Sequence, residues 1–513
     1  MKLTHLLATV LPLGVVLSAS QSPLSVKTLT GIFTGLQSAD YSAVREFRNI
    51  PYAQPPVNSL RFLPPQPLRP SVKHHYSTRF PPSCPQFLSN SPSFWNLLAS
   101  PLLVNNGNQN QSSSLSVQTA SEDCLSLAIW TPYNVSADAN LPVAFFMTGG
   151  GFSTGGVDSM YILACLQQCL EKCRPKLLNM AKPKTYTYEN TQLQNNVLYL
   201  NADYREVTGQ RPQSWVNRTQ AHIVVTINYR VNIFGFPNTA ALDSPNLGIL
   251  DQRLALEWVY ANIASFGGDP DSIMLWGQSA GSQSADYHNF AFWDNPIAKS
   301  SFSQSGTATK PLSIKFGPIA DEVVIFSNYS ARAAEGKISP NPAIFSDTAN
   351  NDATLKPWPI NNATDGPYQP VITAGTLSGW VCQTANTSMY RAAANRTTYR
   401  YQFAGNFSNP YSWLGAYHSS DLWMLFGTYD LYGAAVNGSG PTDLEIATSE
   451  AMQDYVLAFM KDPVNGPLGM GWLPYTYGSN VLRFGAGGVP VQNVSGYEID
   501  GPCFGNGTYD PFP

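Results

Sequence analysis

The strongest pattern along the chain is a series of short apolar runs that end in glycine or polar turns and alternate with stretches of helical period. Leu141-Pro142-Val143-Ala144-Phe145-Phe146-Met147 runs straight into Thr148-Gly149-Gly150-Gly151-Phe152, which predicts a buried strand feeding a glycine loop. His222-Ile223-Val224-Val225-Thr226-Ile227-Asn228 predicts a second buried strand, because β-branched residues fit a covered, pleated surface. After it, Leu250, Leu254 and Trp258 recur at helical spacing, with Leu256, Val259 and Ile263 on the adjoining face. That predicts a helix stopped by Gly267-Gly268-Asp269-Pro270. Ser272 to Trp276 predicts a further strand, as do Pro342 to Phe345 and Thr398 to Phe403, and Leu444 to Met460 predicts a late helix ended by Asp462-Pro463. Strands alternating with helices imply an α/β class: a mainly parallel sheet covered on both faces, with ligands at the carboxyl ends of the strands.

One stretch breaks the pattern. From Tyr161 to Gly209 the chain is rich in Lys, Gln and Asn and separates two elements that a short connection would normally join. It carries Cys165, Cys169 and Cys173, whose spacing would place three thiols on one helical face. No His or carboxylate pattern completes a ligand set, so no metal or other cofactor is expected.

Composition and charge narrow the class. Only 12% of residues are charged and the net charge is -4, which leaves no basic field for nucleic acid. Lys2, the apolar stretch Leu6 to Leu17 and the small residues Ser18, Ala19 and Ser20 read as a secretory signal over residues 1–20. Residues 21–513 then form one catalytic-sized domain, with no later segment apolar enough to span a membrane. Asn-x-Ser/Thr acceptors recur from Asn110 to Asn506, in keeping with a secretory route.

Candidate chemistry centres on Gly277-Gln278-Ser279-Ala280-Gly281, which follows the apolar run Ser272 to Trp276 and precedes a helix-competent stretch. That is the context of a nucleophile elbow, where flanking glycines let the serine Oγ stand clear of a tight turn. A serine needs a base, and the base needs a group to hold its tautomer. In the order Ser, acid, His that such a scaffold uses, only His288 and His418 follow Ser279. His288 rides away on the elbow helix, so the loop residue His418 is the expected base. The acid is then one of the carboxylates from Asp286 to Asp365; Asp352 is placed ahead of Glu322 and Asp347. The amides of Gly150, Gly151 and Ala280 are the expected oxyanion donors. The glycine run lacks the Lys-Ser/Thr of a phosphate-binding loop.

These residues in this order resemble the type-B carboxylesterase/lipase family of α/β hydrolases, from Gly31 to about Cys503. Further signatures are Ile50-Pro51-Tyr52-Ala53-Gln54-Pro55-Pro56, Glu122-Asp123-Cys124-Leu125-Ser126-Leu127, Asn228-Tyr229-Arg230, Phe266-Gly267-Gly268-Asp269-Pro270 and Gln304-Ser305-Gly306. The resemblance implies secreted hydrolysis of carboxylic esters through an acyl-enzyme, with Ser279, Asp352 and His418 as triad. It also implies disulfides Cys84–Cys124 and Cys382–Cys503, and a small-molecule or lipid ester as substrate. Thr148 stands where many members carry His, Asp352 where the family usually has Glu, and the chain between Gly306 and Phe316 is short for the family. A retained intron near residues 161–209 would explain the anomalous insertion, and sequencing the spliced transcript tests it. A non-catalytic binding module on the same fold is the competing reading; a serine peptidase is disfavoured by the glycine loop.

Overall fold

Alternation within the apolar runs sets the architecture. In the strand Leu141–Met147, Val143, Phe145 and Met147 enter one hydrophobic core while Ala144 and Phe146 enter a second, on the opposite face. A strand covered on both faces has no polar side, which is why these segments read as unbroken apolar runs. The computed structural model describes residues 22–86, 120–157, 212–239, 241–309, 316–354, 368–407, 412–430 and 440–513. The leader segment and the Tyr161 to Gly209 insertion with its three cysteines lie outside the described residues.

A small three-stranded sheet forms from β1 (Ser25–Lys27), β2 (Ile32–Thr34) and β5 (His74–Tyr76). The main sheet contains β3 (Leu36–Gln37), β4 (Val44–Pro51), β6 (Ser126–Pro132), β7 (Leu141–Met147), β8 (Ile223–Ile227) and β9 (Gly268–Gln278). It continues with β10 (Ser300–Gln304), β11 (Ala343–Thr348), β12 (Thr398–Phe403), β13 (Asn480–Phe484) and β14 (Val491–Ser495). Its order is β14-β13-β12-β11-β10-β9-β7-β8-β6-β4-β3, parallel from β13 through β8 and antiparallel at both margins. This is the α/β-hydrolase arrangement that the resemblance implies.

Local differences from the sequence expectations have physical reasons. The helix Leu247–Asn262 passes through a 3-10 turn, Ile263–Phe266, and is stopped by Gly267 alone, at φ 93°. Gly268-Asp269-Pro270 therefore opens β9 instead of ending the helix. The late helix spans Asp443–Lys461, with Thr442 accepting from the Glu445 amide as N-cap. β10 carries no apolar signal, since it reads Ser-Ser-Phe-Ser-Gln. Its buried hydroxyls are satisfied inside the fold, Ser303 Oγ by the Ser282 carbonyl and Ser301 Oγ by Asn289 Nδ2.

Two covalent ties brace the parts that carry the site. Cys84 and Cys124 are joined, and next to them Gln86 Nε2 donates to the Gly155 carbonyl at 2.6 Å, which fastens this loop to the glycine turn. Cys382 and Cys503, 121 residues apart, are joined at the start of the helix Cys382–Ala393. By loop-closure entropy a tie of that span is worth about 4–5 kcal/mol.

Candidate active site

Ser279 sits where β9 turns into the helix Ala280–Ala291, with φ 59° and ψ -120°. A non-glycine residue held there costs about 1–3 kcal/mol, which the surrounding contacts must offset. A Cβ on Gly277 would lie 2.0 Å from the Gly281 carbonyl oxygen, and one on Gly281 would lie 2.0 Å from that of Met147. Both glycines are therefore steric requirements of the turn. The Ser279 amide donates to the Gln304 carbonyl at 2.9 Å, which pins the elbow to the end of β10.

His418 lies in the loop that follows β12 and approaches Ser279 from above the sheet edge. Its Nε2 stands 2.8 Å from Ser279 Oγ, and its Nδ1 stands 2.6 Å from Asn351 Oδ1. An amide oxygen can only accept, so Nδ1 carries the proton and Nε2 presents its lone pair to the serine hydroxyl. Trp380 packs on the imidazole with ring centroids 4.5 Å apart. Gln278 Nε2 lies 3.3 Å from His418 Nε2.

The printed contact of His418 Nδ1 is with Asn351 Oδ1, the residue next to the expected acid, Asp352. The two occupy a 3-10 turn, Asn351–Thr354, in which successive side chains diverge by about a third of a turn, so only one can face the imidazole. Asp352 instead lies against the helix Gln369–Thr376: a Cβ on Gly375 would fall 2.0 Å from its Oδ2, and its amide donates to Thr376 Oγ1 at 3.1 Å. Asp347 is occupied elsewhere, paired at 2.8 Å with Arg400 and approached by Gln402 Nε2. Glu322 caps its own turn by accepting from the Ser327 amide. His288 is buried near the far end of the elbow helix against Phe292, where burial lowers its pKa to about 3.

The glycine loop at the end of β7 reaches the same place. A Cβ on Gly149 would stand 2.8 Å from Ser279 Cβ, so this loop packs directly on the elbow. Gly150 and Gly151 have φ 113° and 61°, the region that favours glycine. The Gly150 carbonyl is taken by the amides of Ser153 and Thr154. Ala280 is the first helical residue, so its amide has no intrahelical partner, and the helix dipole adds positive potential there.

Several residues at the site escape sequence reasoning. Ser305 Oγ is 3.2 Å from Asn351 Nδ2, and Ser305 is held at φ 56° with its amide on the Ser346 carbonyl. It was visible only as part of Gln304-Ser305-Gly306. Trp380 stands in a π-helical turn, Leu377–Val381, that joins the helices Gln369–Thr376 and Cys382–Ala393. Such turns gather at functional sites, but nothing in a local sequence pattern marks them. Beneath the site, burial pushes the Asp421 carboxyl up to about 6, partly opposed by Gln304, and the Asp286 carboxyl to about 6, partly opposed by the Ala308 amide.

Comparison with known proteins places the chain among carboxylesterases and lipases. The model of the carboxylesterase family matches residues 22–167 and 206–333, and the break between them falls inside the anomalous insertion. The chlorogenic acid esterase of Aspergillus niger is 32% identical, with 94% of each chain covered. Secreted lipase 5 of Gibberella zeae is 31% identical, with 92% of each chain covered. Lipase 4 of Diutina rugosa is 30% identical over 66% of this chain and 54% of its own length. No helix among the described residues is long and apolar enough to cross a membrane.

Proposed function

The chain belongs to the carboxylesterase family and is a secreted carboxylic-ester hydrolase, and from that premise we propose that Ser279 is its nucleophile and His418 its general base and acid. Ser279 Oγ attacks the ester carbonyl carbon while its proton passes to His418 Nε2. The oxyanion that develops is received by the amides of Gly150, Gly151 and Ala280, each worth about 3 kcal/mol of transition-state stabilisation. The imidazolium then gives its proton to the departing alkoxide, which leaves an acyl-serine and a free alcohol. Water reverses the sequence: His418 takes its proton, hydroxide adds to the acyl carbon, and Ser279 departs with the proton returned.

The single observation that carries this reading is the 2.8 Å contact between His418 Nε2 and Ser279 Oγ on a strained elbow. Supporting it, the glycine loop packs on that elbow. The substrate is a small-molecule or lipid ester, and nothing in the charge balance suits a nucleic acid. Relatives named for chlorogenic acid and for lipase activity define the panel to try: chlorogenic acid beside acyl esters of graded chain length. Ser279→Ala should abolish turnover of a short-chain p-nitrophenyl ester by purified protein; retained turnover rejects the assignment.

A further inference from the structure

We propose that Asn350 and Tyr509 are positioning residues for the base: Asn350 fastens the His418 loop to the loop after β11, and Tyr509 anchors that second loop. The inference rests on the reading of Ser279 and His418 as nucleophile and base. Asn350 is buried. Its backbone amide donates at 2.9 Å to the carbonyl of Ala416, two residues before His418. Its Nδ2 donates to the carbonyls of Trp413 at 3.0 Å and Leu414 at 2.9 Å, while Oδ1 accepts from Gln369 Nε2 at 2.8 Å. Only this orientation of the side-chain amide sets donors against carbonyls and an acceptor against a donor. Three hydrogen bonds donated by one residue thus couple the height of His418 Nε2 over Ser279 Oγ to the position of the loop after β11.

That loop is held in its turn from two sides. The Ala349 amide donates to the Phe403 carbonyl of β12 at 2.9 Å, and the Ala349 carbonyl accepts from Tyr509 Oη, 160 residues further along the chain, also at 2.9 Å. Gln402 Nε2 donates to the same hydroxyl at 3.0 Å, which directs the one Tyr509 proton at Ala349. The Tyr509 ring packs on an apolar cluster that includes Val381, the last residue of the π-helical turn that carries Trp380. Phe512 covers Gly415: a Cβ there would fall 2.8 Å from Phe512 Cε1 and 3.2 Å from Asn350 Cβ. Tyr509 and Phe512 therefore touch both loops and the turn whose Trp380 lies on the imidazole. A displacement of about 1 Å at a reacting group can cost about 10² in rate, so slack in these contacts is felt at Ser279.

The test compares kcat, KM and the rate at which a fluorophosphonate labels Ser279, at a temperature well below the melting point of each variant. Asn350→Asp keeps the shape but turns a carboxylate oxygen toward the Trp413 and Leu414 carbonyls, and should lower kcat and labelling rate by about 10² with little change in KM. Tyr509→Phe keeps the packed ring and removes only the hydroxyl, and should lower both by about tenfold. Tyr477→Phe removes an exposed hydroxyl that accepts from Asn506 Nδ2 at 3.1 Å, and should leave kcat unchanged. Residues that served stability alone would lower the melting temperature and leave the kcat of the folded enzyme untouched. Wild-type kcat and labelling rate in Tyr509→Phe overturn the proposal whether or not Asn350→Asp folds, as does a Tyr477→Phe loss equal to that of Tyr509→Phe. Ser279→Ala run alongside separates the layers. Activity that survives it rejects the serine mechanism and this proposal together, whereas activity lost there but intact in Tyr509→Phe rejects the proposal alone.

Discussion

The polar cluster around Ser279 and the one around Arg400 both draw on β11 and the loop after it, yet they are built on opposite terms. Asp347, within β11, pairs with Arg400, which also holds Asp500; Tyr475 Oη completes the set by donating to Asp500 at 2.7 Å. Burial opposes the charge on Arg400, but Asp500 and Asp347 more than offset it and hold the guanidinium above its ordinary value. Asn351, just beyond β11, instead contacts Ser305 and His418, which in turn meets Ser279. There the backbone carries strain, with Ser279 and Ser305 at positive φ. The charged cluster ties its carboxylates and guanidinium together in buried ion pairs.

Changing each cluster should therefore produce different failures. Ser279→Ala should reduce kcat by about 10⁶ with no change in melting temperature, measured by ester turnover and by thermal denaturation. Arg400→Met should destabilise the fold by about 3–5 kcal/mol, because it strands two buried carboxylates, and equilibrium denaturation in urea reads that loss. Gly150→Ala should cost about 10² to 10³ in kcat with KM nearly unchanged. A Cβ there would fall 2.4 Å from the Thr154 carbonyl oxygen, so the donor amide must move. A Gly150→Ala enzyme of wild-type kcat would remove this loop from the oxyanion site.

The same contrast explains what the sequence could and could not tell. Apolar runs such as Leu141 to Met147 mark their strand without error, since both faces are covered and side-chain identity alone carries the signal. The elbow is equally legible, because its two glycines are demanded by contacts under 3 Å with nearby backbone. β10 is not legible, because serines buried between two strands look like a surface turn until their partners are known. At Asn351 and Asp352 the sequence places the site within one residue but cannot say which side chain turns inward. That choice is made by the 3-10 turn and by the room left beside Gly375. Asp347 looked suitable by position alone; its true partner, Arg400, is brought alongside only by the pairing of β11 with β12.

A smaller effect separates buried groups that titrate from those that do not. His222 is buried against Trp215, and burial lowers its pKa to about 3. Because the folded value lies below the unfolded one, its stabilising contribution is present above the ordinary histidine range and is lost as pH falls toward the folded value. At pH 5 the loss is about 2 kcal/mol. His222→Asn should therefore lose about 2 kcal/mol less stability than wild type between pH 7.5 and pH 5, by denaturant titration. Equal losses in both proteins would show that His222 does not titrate with unfolding.

The most direct measurement is the site of attack by a fluorophosphonate, which forms a covalent bond only with an activated serine. Digestion of the labelled protein and mass spectrometry should place the adduct on Ser279, with labelling abolished in Ser279→Ala and in His418→Ala. Turnover of ester by a preparation whose Ser279 stays unmodified under excess probe, or an adduct on another serine, would contradict it.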